Sequence, residues 1–253
     1  ACSLQPVACS LKPVACSLLL VADSYKALND LATEARTRNK GKIIGITGSV
    51  GKTGTKELLL CALKGGGSVT ASDGNLNNHI GVPLSLARMR KDTNFSVFEL
   101  GMSKAGELKN LSRLVRPHIV IITNIAAVHT EFFENLDGIA KAKAEIFAGL
   151  ETPSTAILNR DDRYFDFLTT QLEDKKPTRI ISFGESTNAN AYLLDYSLEE
   201  SGSTVRARIF GHEYKYHLAL KGKQWAINSL AVLCASAAAG IPINEAALGV
   251  KGL

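Results

Sequence analysis

The sequence predicts an α/β fold: a P-loop-containing, mostly parallel sheet flanked by helices, with a small antiparallel annex. Three observations predict it. From Lys42 to about residue 183, short β-branched apolar runs alternate with segments of helical length. That alternation is the pattern of βαβ units, whose crossovers produce parallel strands. The first run, KIIGIT (42–47), passes directly into the glycine-rich TGSVGKT (47–53) and then into a helical pattern. After about residue 188 the period changes to two, with turn signals at Ser201-Gly202 and Gly211-His212.

The elements follow in order. KIIGIT is apolar, β-branched and closed by glycine, which reads as a buried strand. Residues 53–64 read as a helix stopped by Gly65-Gly66-Gly67. SVTAS (68–72) is a short strand, and 83–90 is a helix with Pro83 in its first turn, where a missing N–H costs nothing. Further strands are FSVFEL (95–100), HIVIIT (118–123), TAIL (155–158) and RIISF (179–183), separated by helices near 104–115, 136–150 and 161–171. AYLLDYSL, STVRARIF and EYKYHLAL form an antiparallel meander at the sheet edge, and a helix over 224–239 ends at Gly240 and Pro242. No element is predicted before Lys42.

Composition sets the class. The 253 residues, 45% hydrophobic and 21% charged, are ordinary for a globular chain. A net charge of +5 is spread along the sequence without a basic run interleaved with aromatics, which argues against nucleic acid and suits a polyphosphate ligand. No stretch of eighteen or more uncharged apolar residues is present, so no membrane span is predicted. The five cysteines include no C-x-x-C pair, and Cys61 and Cys234 sit alone in apolar helical patterns. They read as buried free thiols in a reducing, cytoplasmic setting. Residues 1–21 repeat a heptad three times (ACSLQPV, ACSLKPV, ACSLLLV). The first two prolines exclude a coiled coil, and the segment lacks the basic start and cleavage site of a secretory signal. Residues 1–20 are therefore set aside as unstructured or artefactual, leaving one domain over 21–253.

The loop Thr47–Thr53 carries the chemistry. Glycines let the backbone curl around phosphates, and amides at the helix start point at the anion. Lys52 would reach the β- and γ-phosphates and the Thr53 hydroxyl would hold Mg²⁺. Thr47, Gly48, Ser49, Val50 and Gly51 complete the cradle. The spacing is the shorter G-x-x-G-K-T, since Ile46 stands where the longer form has its first glycine. Neither D-x-x-G nor N-K-x-D occurs, which disfavours a GTPase. Glu99 closes strand FSVFEL at the same sheet edge, placed either to hold Mg²⁺ or as a solvated strand-end carboxylate. In the helix near 136–150, Lys143 falls on the same face as Ile139, Ile146 and Leu150, so it either snorkels or faces a site.

TGSVGKTGTKELL (47–59) resembles the ATP loop of the Mur ligases and the related folylpolyglutamate synthases. So, in the same order, do NNHIGVPLSLARM (77–89), FELGMSKAGEL (98–108), RPHIVIITNIAAVHTEFF (116–133), IAKAKAEIFAGL (139–150), LNRDD (158–162) and GKQWAINSLAVLCA (222–235). The resemblance is taken to cover roughly residues 21–253. The resemblance implies ATP, two Mg²⁺ ions, and an amide-forming reaction through an acyl phosphate. It implies His129 as a ligand of the second Mg²⁺ with Asn124 as its neighbour, and Lys143 as a metal-centred residue that carbamylation would convert to an anion. Asn228 would touch adenine, with Gln224 standing where many members have histidine. Asn159, with Asp161 and Asp162, would serve either the nucleotide or the cap of the next helix.

The segments around Asn77-Asn78 and Glu99 resemble members that add D-alanyl-D-alanine to UDP-N-acetylmuramoyl-tripeptide in peptidoglycan precursor synthesis. In those members the asparagine region approaches the peptide, while a turn-forming pair is the alternative. Small-molecule substrates and a monomer are implied. Complete members have three domains, so the uridine-nucleotide domain before residue 21 and the C-terminal domain after Leu253 are expected to be absent, and this chain alone to be weak or inactive. The alternatives are a nucleotide-binding remnant of a truncated gene, or a sibling Mur ligase or folylpolyglutamate synthase.

Overall fold

Successive side chains of a strand point to opposite faces, and in the segment KIIGIT this divides the core. Ile44 and Ile46 enter one apolar cluster and Ile43 the other. The computed structural model describes residues 20–127, 133, 135–173 and 178–252. Nearly all of the heptad repeat, and His129, lie outside the described residues.

The elements are α1 (Ser24–Arg38), β1 (Lys42–Thr47), α2 (Lys52–Leu63), β2 (Val69–Ala71), α3 (Gly81–Ala87), β3 (Phe95–Glu99), α4 (Glu107–Val115), β4 (Ile119–Ile122), α5 (Leu136–Ala144), β5 (Ser154–Asn159), α6 (Phe165–Thr170), β6 (Thr178–Gly184), β7 (Ala191–Glu199), β8 (Gly202–Ile209), β9 (His212–Leu218), α7 (Lys223–Ala238) and α8 (Ile243–Gly249). The strands form one sheet in the order β2-β3-β1-β4-β5-β6-β7-β8-β9. Pairing is parallel from β2 through β6, and β7 joins β6 in parallel at Phe183↔Ala191 and Gly184↔Tyr192. β7, β8 and β9 are antiparallel, the annex expected from the period-two pattern. From β1 the chain crosses to β2 at the edge beyond β3, returns through β3, and then passes to β4 on the other side of β1. The carboxyl end of β1 is thus a topological switch point, where open α/β sheets leave a crevice for ligands.

Helices α2, α7 and α8 cover one face of the sheet, and α1, α3, α4, α5 and α6 cover the other. In α7 every residue from Ala226 to Ser236 is buried, Asn228, Ser229 and Ser236 included, so the helix is enclosed on all sides rather than along one stripe. Cys234 lies in it as a free thiol, and burial pushes its pKa up to about 12; Cys61 is free and half-buried. No helix among the described residues is long and apolar enough to cross a membrane.

Several boundaries differ from the sequence reading. Helix α1 was not expected: of its residues only Ala32, Ala35 and Arg36 are buried, too few for an apolar stripe. It is marked instead by Asp23, whose side chain accepts the Lys26 N–H at 2.9 Å as an N-cap. The short α8 was missed as well. The helix expected near 161–171 begins only at Phe165, because Asp162 accepts the N–H groups of Tyr164 and Phe165 at 2.9 Å each and holds a turn. The helix expected to reach residue 150 tightens into a 3₁₀ turn over Glu145–Gly149, where a Cβ on Gly149 would lie 1.9 Å from the Ser112 carbonyl. α4 starts at Glu107 rather than 104, since the Glu107 carboxylate accepts the N–H groups of Ser103 and Lys104 in the preceding turn, at 2.7 and 3.1 Å.

Candidate functional site

The strand–loop–helix at Thr47–Thr53 folds as a cradle because two glycines allow backbone that other residues resist. Gly48 (φ +150°) and Gly51 (φ +86°) both have positive φ. A Cβ on Gly48 would also fall 1.9 Å from Thr123 Oγ1. The loop is laced to the end of β4. Thr123 Oγ1 donates to the Val50 carbonyl at 2.7 Å, while Asn124 accepts the Ser49 N–H on its carbonyl and the Val50 N–H on Oδ1, each at 2.9 Å. Ser49 Oγ donates to the Ala126 carbonyl at 2.9 Å. Residues 123–126 are a supporting strap that the sequence reading did not identify. Its signal was the polar pair Thr123-Asn124 at the end of an apolar strand. Whether Asn124 neighbours His129 lies outside the described residues.

Lys52 bends back over this cradle. Its Nζ donates to the carbonyls of Gly48 at 2.8 Å and Ser49 at 3.3 Å. Burial lowers its pKa, against the attraction of Glu99. Beside it, Thr53 Oγ1 donates to Glu99 Oε2 at 2.8 Å, and Asn77 Nδ2 donates to Glu99 Oε1 at 2.8 Å. Glu99 is 2% exposed, which removes the solvated-carboxylate alternative. One carboxylate and one hydroxyl next to a phosphate cradle are hard oxygen donors of the kind Mg²⁺ takes, the rest of its shell being phosphate oxygens and water. Among the described residues no group of three or more His, Cys, Asp or Glu is placed to hold a metal ion.

Lys143 faces the same cavity, of about 440 Å³, together with Thr47, Lys52, Asn77 and Asn78. It is 3% exposed. Burial, then the charge of Lys52, lowers its pKa to about 7. It makes no ion pair among the described residues. The helical offsets placed it on the buried face, and the structure turns that face toward the cavity. Asn78 is a turn-former too: its Oδ1 accepts the N–H groups of Ile80 and Gly81, at 3.1 and 2.9 Å. The far wall holds Tyr25 and Asn29 of α1 and His79, with the Tyr25 and His79 rings edge-to-face at 6.1 Å. These three were missed, the first two because α1 was.

Behind the cradle, Asn228 is fully buried and its Nδ2 has no hydrogen-bond partner among the described residues. A Cβ on Gly51 would lie 2.5 Å from that Nδ2, and Gln224 Nε2 donates to Asn228 Oδ1 at 3.0 Å. Trp225 lies over Gly54, where an added Cβ would sit 2.1 Å from its ring. Asn159 accepts the Asp161 N–H at 2.9 Å, and Asp161 accepts those of Glu185 at 2.5 Å and Ser186 at 3.0 Å. Asp162 also accepts the Ile125 N–H at 2.6 Å. These three residues brace the loops around the sheet edge; none of them caps α6, whose N-cap is Tyr164 without a side-chain hydrogen bond, because Asp162 is spent on the turn before it.

Residues 46–236 match the family described as the Mur ligase middle domain. The chain belongs to the Mur ligase family. Similar members include the UDP-N-acetylmuramoyl-tripeptide–D-alanyl-D-alanine ligase of Rickettsia prowazekii, 42% identical over 176 residues, which are 70% of this chain and 39% of that protein. A crystal structure of MurF from Acinetobacter baumannii superposes with a TM-score of 0.86 at 30% identity, over 95% of this chain and 53% of that one. The MurF ligase of Thermotoga maritima in complex with ADP gives a TM-score of 0.78 at 27% identity, over 96% and 56%. The chain thus spans about half the length, or less, of the Mur ligases it matches.

Proposed function

We propose that the chain is the ATP-binding middle domain of a Mur ligase that adds D-alanyl-D-alanine to UDP-N-acetylmuramoyl-tripeptide. The observation that carries the reading is the Thr53–Glu99–Asn77 contact. It brings a phosphate loop, a buried carboxylate and a substrate-side asparagine to one point. The Rickettsia relative bears that ligase's name, which favours it over the sibling ligases and the folylpolyglutamate synthases.

In this reading the tripeptide carboxylate attacks the γ-phosphorus of ATP, giving an acyl phosphate and ADP. The amine of D-alanyl-D-alanine then attacks the acyl carbon and expels phosphate. Lys52 leaves its own loop carbonyls for the phosphate oxygens, and the cradle amides hold the anion. Mg²⁺, when bound, neutralises the charge that develops on the phosphate. Thr53, Glu99, His129 and Lys143 would hold the ions, Asn228 and Asn159 flank the nucleotide, and Asn77 and Asn78 border the peptide. Carbamylation of Lys143 fits its surroundings: a buried amine with a pKa near 7 is partly neutral and nucleophilic toward CO₂, and the carbamate would give that site an anion. The free thiols of Cys61 and Cys234 suit a reducing cytoplasm.

The heptad repeat remains set aside, and the outer domains are proposed to be needed for turnover, because ligation requires both substrates to be positioned together. Calorimetry of Mg·ATP binding to this chain and to Lys52→Ala tests the reading. Binding that vanishes in the variant supports it; a folded chain that binds no Mg·ATP sinks it.

A further inference from the structure

Lys56 is buried to 1% exposure, and none of the roles above uses it. Its Nζ donates to the carbonyls of Ser72 at 2.8 Å and Gly74 at 2.9 Å, and lies 3.1 Å from the Glu57 carboxylate. Burying a cation is costly unless its donors are met, and here they are met chiefly by the turn that follows β2. That turn leads to Asn77. Ser72 also touches the strand end, its Oγ accepting the Glu99 N–H at 3.3 Å, and Gly101 donates its N–H to the Asn77 carbonyl at 2.8 Å. A Cβ on Gly101 would lie 2.8 Å from Asn77 Oδ1, so the loop rests directly on the end of β3.

Lys56 stands three residues after Thr53 in α2, on the same side of the helix. One helix face therefore sends Thr53 to Glu99 and Lys56 to the loop whose Asn77 returns to Glu99. The contacts form a closed ring.

We propose that Lys56 is a positioning residue that holds the Ser72–Gly74 turn so that Asn77 orients the Glu99 carboxylate for the nucleotide-bound cation. This inference rests on the reading of the loop as an Mg·ATP site.

The test is ATP affinity of the full chain with excess Mg²⁺ and with chelator, for wild type, Lys56→Met, Lys56→Arg, Asn77→Ala and the Lys56→Met/Asn77→Ala double variant. Lys56→Met is expected to cut the Mg²⁺-dependent gain in affinity about tenfold, the scale of one charge-assisted contact, and to leave chelator-condition affinity within about twofold. Asn77→Ala should do the same, the double variant should be no worse than Asn77→Ala, and Lys56→Arg should recover most of the gain. A folded Lys56→Met with an undiminished Mg²⁺-dependent gain, or additive losses in the double variant, overturns the inference while leaving the ATP site intact. Hydrogen exchange on wild type decides the matter even if Lys56→Met does not fold. Mg·ATP should slow exchange across residues 72–77 and ATP with chelator should not; equal protection overturns the inference. A wild-type chain that binds no ATP overturns the site reading and the inference together.

Discussion

The two ends of the parallel sheet both collect buried charge, and they treat it differently. At the amino end, the guanidinium of Arg36 is 4% exposed, yet it donates to the Val115 and Arg116 carbonyls at 2.7 Å each and pairs with Glu151. His118 Nδ1 accepts the Ile43 N–H at 3.0 Å, and Arg116 reaches Thr37 Oγ1 at 3.2 Å. Burial, with the neighbouring cations Arg36, Lys42 and Arg116, lowers the pKa of His118 and favours its neutral ring. At the carboxyl end, among the described residues, Lys52 hydrogen-bonds only to its own loop carbonyls, Lys143 makes no ion pair, and Thr47 Oγ1 and Asn228 Nδ2 lack hydrogen-bond partners. Satisfied buried charge holds a fold together. Charge left short of partners at a switch point marks where a ligand is meant to complete the set.

The largest expected effect is at the under-satisfied end. Lys52→Ala should lower Mg·ATP affinity on the order of 100-fold by calorimetry, since charge-assisted contacts to phosphate are lost. Its urea midpoint should be unchanged or raised, because the desolvation of the wild-type ammonium outweighs its attraction to Glu99. A large loss of stability would erase the contrast between the two ends. Arg36→Met should do the converse. It strips two carbonyls and Glu151 of their donor, costing about 2–3 kcal/mol in urea unfolding. Mg·ATP affinity of the folded fraction should stay as in wild type.

Lys143 sharpens the comparison through pH. Its folded pKa, near 7, lies below the ordinary 10.5, so between those values the unfolded chain binds more protons and stability rises with pH. Below about 7 the cost of the buried cation is fully present. Lys143→Met should therefore stabilise the unmodified, ligand-free chain at pH 6, on the order of 1 kcal/mol or more, and the gain should shrink toward pH 10. Thermal melts at the two pH values check it, and an equal gain at both would show that the amine is not titrating there. The smallest effect is optical. Trp225 is the single tryptophan and packs on Gly54 beside the cradle, so its emission should shift on Mg·ATP binding in wild type and stay constant in Lys52→Ala.

The parallel core, the phosphate loop and the annex were legible because each is written in local pattern: β-branched runs, glycines at forced backbone, and period-two alternation. Lys143 was legible for a related reason, since helical offsets alone put it on a buried face. α1 was not, because a helix that buries two alanines and an arginine shows no stripe, and with it went Tyr25 and Asn29 of the cavity wall. The strap at residues 123–126 and the anchor Lys56 were invisible for another reason. Their partners lie on other segments, as Lys56 shows by reaching Ser72 and Gly74.

The sequence by itself thus determined the layers, the strand that carries the cradle, and the residue types offered to the nucleotide, since all of these follow from neighbours along the chain. Only the tertiary structure decided that Asn77 holds Glu99 rather than merely turning the chain. It also decided that Asn124 supports the phosphate loop. Both outcomes depend on which strand ends the parallel order of the sheet brings together, and no local pattern encodes that adjacency.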